Sequence, residues 1–159
     1  MVNAKRRDAA MEIREEKLTE KLTEELIALS RGWESENSCR GYRENRREDL
    51  EGRRVFTARE DGRLIGYLFG LTETEDEGNS VTKKGAAYFE LEELYVVPER
   101  RSQGIGRALF SFAEKALAGE AEQILLGTAT KDWRKVLHFY IEELGMDFWS
   151  ARLFKKLTG

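Results

Sequence analysis

Between Ala87 and Leu117 the sequence AYFELEELYVVPERRSQGIGRALFSFAEKAL writes a strand, a turn and a helix in succession, each with an irregularity that constrains the fold. In the strand, the apolar residues Phe89 and Leu91 fall at odd positions, whereas Leu94 and Val96 fall at even ones. A strand whose apolar face changes parity needs one extra residue, so a β-bulge is expected at Glu92-Glu93. The helix begins with two glycines, Gly104 and Gly106, although each glycine inside a helix costs about 1 kcal/mol relative to alanine. What such a start offers is backbone. The first N–H groups of a helix point outward unpaired at the positive end of its dipole, and glycine lets a bulky anion approach them. With Arg101 and Arg107 beside it, the turn reads as a phosphate or pyrophosphate cradle, or else as a tight turn with helix-packing glycines.

Two familiar phosphate loops are excluded. The dinucleotide fingerprint GxGxxG requires a third glycine where Leu109 stands, and the nucleoside-triphosphate loop GxxxxGK[ST] is absent. What remains is Arg-x-x-Gly-x-Gly at 101, 104 and 106 after a bulged strand.

The rest of the chain supplies the elements around this unit. Residues 1–10 read as a flexible tail and 11–159 as a single domain, which suits 159 residues with 40% hydrophobic content. Met11–Glu16 reads as an edge strand. Thr19–Ser30 reads as a helix with Leu22, Leu26 and Leu29 on one face and Gly32 as its stop; a short charged helix is expected over 43–51. Val55–Arg59 and Leu64–Leu71 form a hairpin around Asp61-Gly62. Thr72–Gly85 is an acidic loop, either a solvated connection or a flap beside a site. The helix from Gly104 carries Ile105, Leu109, Phe112 and Ala116 as its apolar stripe. Gln123–Thr130 reads as a buried strand, Asp132–Leu144 as a helix ended by Gly145, and Met146–Leu157 as a last strand. The fold class is α/β: helices on both faces of one mixed sheet.

Composition narrows the partners. Twenty-seven basic against thirty acidic residues argue against nucleic acid as a partner. No apolar run is long enough for a membrane span, and the charged N-terminus is unlike a signal peptide. Cys39 is the only cysteine, so no internal disulfide forms and a cytoplasmic location is expected. Nothing beside Cys39 in sequence marks it as a catalytic thiol, and no second His or Cys stands at metal-ligand spacing, so no metal is expected.

On LEELYVVPERRSQGIGRALF, and more loosely from the Val55–Leu71 hairpin to Phe148, the sequence resembles the GNAT superfamily of N-acetyltransferases. That resemblance implies a mostly antiparallel mixed sheet with a bulged, splayed central strand, and acetyl-CoA as acyl donor. It implies that backbone amides of Ser102, Gln103, Gly104, Ile105, Gly106 and Arg107, with Arg101 adding charge, hold the pyrophosphate. It also implies that Leu94, Tyr95 and Val96 pair with the pantetheine arm as though with an added strand, one N–H stabilising the developing oxyanion.

Acyl transfer to an amine needs a deprotonated nucleophile and a proton for the departing thiolate. By helical spacing Tyr140 lies on one face with Trp133, Leu137, Ile141 and Leu144, which makes it a core ring or a functional hydroxyl. In the resembled family a tyrosine in an FY pair shortly before Gly-Phe serves as general acid. Phe139-Tyr140 before Gly145-Met146 is similar, with one extra residue between Tyr and Gly, so a bulge in this helix is expected. Three carboxylates interrupt an apolar strand at Glu90, Glu92 and Glu93, either as a solvated strand end or as a site. The segment LEELYV is similar to that of diamine and polyamine acetyltransferases. The resemblance implies Glu92 as base and Glu93 as the residue meeting the cationic amine, with Glu90 as the alternative base. His138 falls on the outer helical face with Arg134 and Glu142, as a surface residue.

Only 146–159 follow the last helix, which is room for one strand, so a second subunit of a homodimer is a candidate for the far wall of the acceptor pocket. The reading is an acetyl-CoA-dependent N-acetyltransferase for a small cationic amine or polyamine. The alternatives are a coenzyme A-binding module without turnover and a protein N-terminal or lysine acetyltransferase. Glu73, Glu75, Asp76 and Glu77, just before the strand, are expected to add a negative field at the acceptor mouth.

Overall fold

The computed structural model describes residues 10–158, so the tail expected over 1–10 lies, but for Ala10, outside the described residues. Five strands form one sheet in sequence order: β1 (Met11–Glu16), β2 (Arg54–Glu60), β3 (Arg63–Thr74), β4 (Ala87–Val96) and β5 (Gln123–Leu125). The first four pair antiparallel and β5 joins β4 in parallel. The hairpin between β2 and β3 turns at Asp61-Gly62, both with positive φ, as a two-residue connection matching strand twist requires.

Helices cover both faces. On one side α3 (Ile105–Leu117) buries Ile105, Leu109, Phe110, Ala113 and Leu117, and its Phe112 meets Phe56, which in turn packs edge-on against Phe89. Phe112, expected in the apolar stripe, is therefore at its margin, because Phe110 and Ala113 face the sheet more squarely. On the other side α1 (Glu20–Glu36) inserts Leu22 and Leu26 into the core and stacks Trp33 on Tyr95. Its start follows the sequence, with Thr19 Oγ1 accepting from Leu22 N at 3.1 Å. Its end does not: the helix runs through Gly32 to a left-handed cap at Asn37. The charged helix expected over 43–51 shrinks to α2 (Arg47–Leu50), which buries Leu50. Among the described residues no helix is long and apolar enough to cross a membrane.

The bulge falls at the expected place. Phe69 pairs with Glu93 and Gly70 with Leu91, leaving Glu92 unmatched. Before it, Phe89 and Leu91 face α3; after it, Leu94 and Val96 take that side, while Glu93 and Tyr95 turn to α1. Gly70, opposite the bulge, has no room for a side chain, since a Cβ would lie 2.0 Å from the Glu90 carbonyl oxygen.

Two strand expectations are corrected. The strand over Gln123–Thr130 stops at Leu125, because its last partner is Glu90 and the bulge then carries β4 away. Met146–Leu157 forms no strand: it finds no ladder to join, and Leu153, Phe154 and Leu157 stay exposed. The chain there is held by side chains, with Trp149 Nε1 donating to Ser80 Oγ at 2.8 Å and the Arg40 guanidinium over the Phe154 ring.

Candidate active site

Where β4 and β5 part, a cleft of about 740 Å³ opens. One wall is Leu91–Val96 and the turn into α3; the other is Leu126–Thr130 and the helix that follows. Trp33 and Cys39, from the end of α1 and the segment after it, close a third side.

The turn has the geometry of an anion cradle. Gly104 caps α3 with φ +82°, and a Cβ there would enter open space. Ala108 N donates to Gly104 O, so the N–H groups of Ile105, Gly106 and Arg107 precede the first helical bond. Gly106 packs closely, because a Cβ would come within 3.2 Å of the Phe139 ring. Arg101, Ser102, Gly104, Ile105, Gly106 and Arg107 line the cleft; Gln103 is exposed outside it. Arg101 is not a free cation: its guanidinium binds both carboxylate oxygens of Glu36, lies over the Tyr95 ring, and donates from Nε to Val96 O at 2.9 Å. Leu94, Tyr95 and Val96 all line the cleft, the ring of Tyr95 buried towards α1. Open cradle and parted strand edge fit a coenzyme A phosphate and arm. Among the described residues no group of three His, Cys, Asp or Glu is placed to hold a metal.

The helix across the cleft bulges too. Helix α4 (Trp133–Leu137) passes into a π-helical turn, His138–Glu143, where Leu144 N donates to Phe139 O and Met146 N to Tyr140 O. The wider turn absorbs the extra residue between Tyr140 and Gly145, and Tyr140 faces the cleft. Burial, and to a lesser degree the neighbouring Cys39, pushes its hydroxyl up to about 12, so it stays protonated at neutral pH. Trp133, expected on the same inward face, is instead half exposed with the Arg134 guanidinium stacked on it. His138 is exposed at the rim, 4.0 Å from Glu143.

The three glutamates of β4 have three fates. Glu92, the unmatched bulge residue, lines the cleft and is held by Arg53 through Nε at 2.8 Å and Nη2 at 2.9 Å. Glu93 lines the cleft beside it, half buried, with Oε2 accepting from Tyr67, Asn45 and Tyr42. Burial pushes its carboxyl up, against the pull of those three hydrogen bonds. Glu90 sits below the point of parting and does not line the cleft; burial first, then Glu73 and Glu92, push it up.

Tyr42, Asn45, Tyr67 and Trp33 went unnoticed in the sequence. Trp33 packs between Tyr42 and Tyr95 at ring distances of 4.4 and 5.2 Å. They come from three distant segments, and no local signal marks any of them. Cys39 also lines the cleft, bridged through its backbone to Thr130. The acidic loop is a correction: Glu73, Glu75, Asp76 and Glu77 do not line the cleft. Glu75 instead accepts from the N–H groups of Glu77 and Gly78, and Thr82 ties the loop to Gln123 at the closed end of the sheet.

Comparison with known proteins agrees with this fold. The model of the acetyltransferase (GNAT) family matches residues 12–146. An aminoglycoside acetyltransferase from an uncultured soil metagenomic sample, solved with trehalose, superimposes with a TM-score of 0.67 at 17% identity, covering 93% of this chain and 97% of that one. The ribosomal-protein-alanine N-acetyltransferase of Brucella melitensis biovar Abortus 2308 gives 0.63 at 20% identity, over 92% and 99%. The aminoglycoside N-acetyltransferase AAC(6')-Iy, solved with CoA, gives 0.62 at 15%, over 96% and 97%. No curated protein matches the sequence.

Proposed function

From the premise that this chain belongs to the acetyltransferase (GNAT) family, a family of acyltransferases, we propose that it transfers an acetyl group from acetyl-CoA to the amine of a small cationic acceptor. One observation carries the reading: Glu93 and Tyr140 line the same cleft, on the two walls that the parting of β4 and β5 separates. A carboxylate for an ammonium and a protonated phenol for a leaving thiolate are the two groups that amide formation requires.

Acetyl-CoA supplies the thioester when bound. Its phosphates suit the N–H groups of Ile105, Gly106 and Arg107 at the open side of Gly104, and its arm suits the cleft edge at Leu94–Val96. Tyr140, kept protonated by burial, delivers a proton to the leaving sulfur. Of the three glutamates, Glu92 is neutralised by Arg53 and Glu90 lies outside the cleft, so the base falls to Glu93 rather than Glu92. The amine class rests on that carboxylate and no longer on the acidic loop. The irregular tyrosine spacing, which slightly favours a module without turnover, is absorbed by the π-helical turn and leaves Tyr140 lining the cleft.

The test is turnover of acetyl-CoA, read as free thiol, across polyamines, aminoglycosides, uncharged amines and N-terminal peptides. Acetylation of a small polycation with kcat/KM falling as salt rises is the expected result. A preference for an acidic or uncharged amine overturns the acceptor class, and no turnover with any amine overturns the activity.

A further inference from the structure

Glu93 differs from most of the other cleft-side and half-buried carboxylates of this molecule. Glu92 has Arg53, Glu36 has Arg101, and Glu16 has Arg59. Among the described residues Glu93 forms no ion pair; its partners are all neutral. Its Oε2 accepts from Tyr67 Oη at 2.8 Å, Asn45 Nδ2 at 3.0 Å and Tyr42 Oη at 3.3 Å. Its Oε1 accepts from none of them. Among the described residues no side-chain oxygen is buried without a partner, so Oε1 is open to solvent, and Glu93 is one of the residues lining the cleft.

The donors are themselves fixed. Tyr67 is fully buried on β3, two residues along the strand from Phe69, the cross-strand neighbour of Glu93. Asn45 is buried, and its backbone N donates to Ser30 Oγ of α1 at 2.9 Å. Tyr42 packs against Trp33 with its ring tilted and the centroids 4.4 Å apart. Three donors from two elements on one oxygen set the plane of the carboxylate and aim the other oxygen.

Building on the proposed acetyl transfer, we propose that Tyr67 and Asn45, with Tyr42 as a weaker third, are positioning residues that hold Glu93 ionised with Oε1 presented to the acceptor amine. The proton then passes from the ammonium to Oε1, leaving a neutral amine and a carboxylic acid, and the acid returns it to solvent through the open cleft. A cation at Glu93, such as the arginine at Glu92, would lower its affinity for that proton. Neutral donors keep the carboxylate oriented and still basic. The groups facing Glu93 are Tyr42 and Asn45 from the α1–α2 segment, Tyr67 from β3, and Glu92 from its own strand, whose charge also pushes it up.

The sign follows. Each donor favours the ionised form, so removing one moves the titration of Glu93 to higher pH. Carbon-13 NMR of protein labelled at glutamate carboxyls reads this directly, the Glu93 signal being the one missing in Glu93→Gln. In the wild type its midpoint is expected above the ordinary glutamate value of about 4.3. Tyr67→Phe should move it up by about one pH unit and Tyr42→Phe by less. With spermidine and kanamycin as probes, the acidic limb of kcat/KM should move with the NMR midpoint, and Glu93→Gln should lower kcat/KM by about 10²-fold or more. A packing role for Tyr67 would lower the melting temperature and leave both midpoint and limb in place. An ordinary wild-type midpoint, or one unmoved in both variants, overturns the proposal; Tyr42→Phe decides if Tyr67→Phe does not fold. If neither probe is acetylated, the proposed activity falls for them while the titration still judges the positioning.

Discussion

Two regions on the β4 side of the cleft are built on different principles. The turn at Arg101–Arg107 works through main-chain atoms: three N–H groups ahead of the first helical bond, and a glycine whose missing side chain leaves space. The region towards α1 works through side chains, with Glu93 held by Tyr42, Asn45 and Tyr67 and lined by Trp33. A main-chain site needs consecutive residues, so it can be written as a short motif. A side-chain site can draw on any segment the fold brings close, and this one spans residues 33 to 93. Solved relatives are named for different acceptors, aminoglycosides in one case and a ribosomal-protein alanine in another, and under the proposed function the main-chain turn takes the shared carrier and the side-chain site the acceptor.

The comparison breaks most sharply at Tyr140, which faces both regions from the opposite wall and is held there by the π-helical turn. Tyr140→Phe keeps the ring in place, so acetyl-CoA affinity and melting temperature should hold while turnover falls by about 10²–10⁴-fold. Steady-state kinetics with calorimetry separates the two, and wild-type turnover would make Tyr140 a packing residue. Next is Gly104. With φ at +82°, any Cβ costs about 1–2 kcal/mol of backbone strain and a branched one also fills the cradle, so Gly104→Val should weaken acetyl-CoA by about 10- to 100-fold in calorimetry. An unchanged affinity would mean the cradle lies elsewhere.

How far the sequence reveals each region follows from the same contrast. The bulge was legible because parity in a strand is a local property, and Phe89, Leu91, Leu94 and Val96 record it within eight residues. The helical bulge was legible for a like reason, as one residue too many between Tyr140 and Gly145. The partners of Glu93 were not, because nothing local in Tyr42 or Asn45 distinguishes a cleft residue from a loop residue. Gln123–Thr130 reads as one strand because Leu126 and the small residues after it line a cleft instead of a ladder, and composition cannot tell the two apart. Met146–Leu157 carries strand composition, yet a strand also needs a neighbour, which sequence does not record. Nearness in sequence is a poor guide to the acidic loop: it precedes β4, but at the closed end.

A smaller effect is expected at the bulge residue. Glu92→Gln removes a carboxylate already neutralised by Arg53, so kcat should change by less than about threefold and the acidic limb should stay with Glu93. A fall of 10²-fold in kcat would return the base to Glu92 and make the neutral-donor arrangement at Glu93 a binding device.

The smallest effect tests whether the two regions are separate at all, because Arg101 touches both. Its place at the head of the motif assigns it to the cofactor region, whereas its guanidinium is bound to Glu36 and stacked on Tyr95, in the acceptor region. Removing it has opposing consequences for acetyl-CoA. A positive charge near the phosphates is lost, but that charge is already countered by Glu36, and the side chain is partly exposed and screened by salt. At the same time Val96 O is released from Arg101 Nε, which leaves more of the β4 edge free for an arm to pair with. The terms nearly offset, so Arg101→Ala should change acetyl-CoA affinity by no more than about threefold, with Glu36→Gln equally mild. A loss beyond about tenfold in Arg101→Ala alone would mean that the arginine leaves Glu36 for phosphate when the cofactor binds. The acceptor region would then gain an unpaired carboxylate at that moment, and the two regions would be coupled through one side chain.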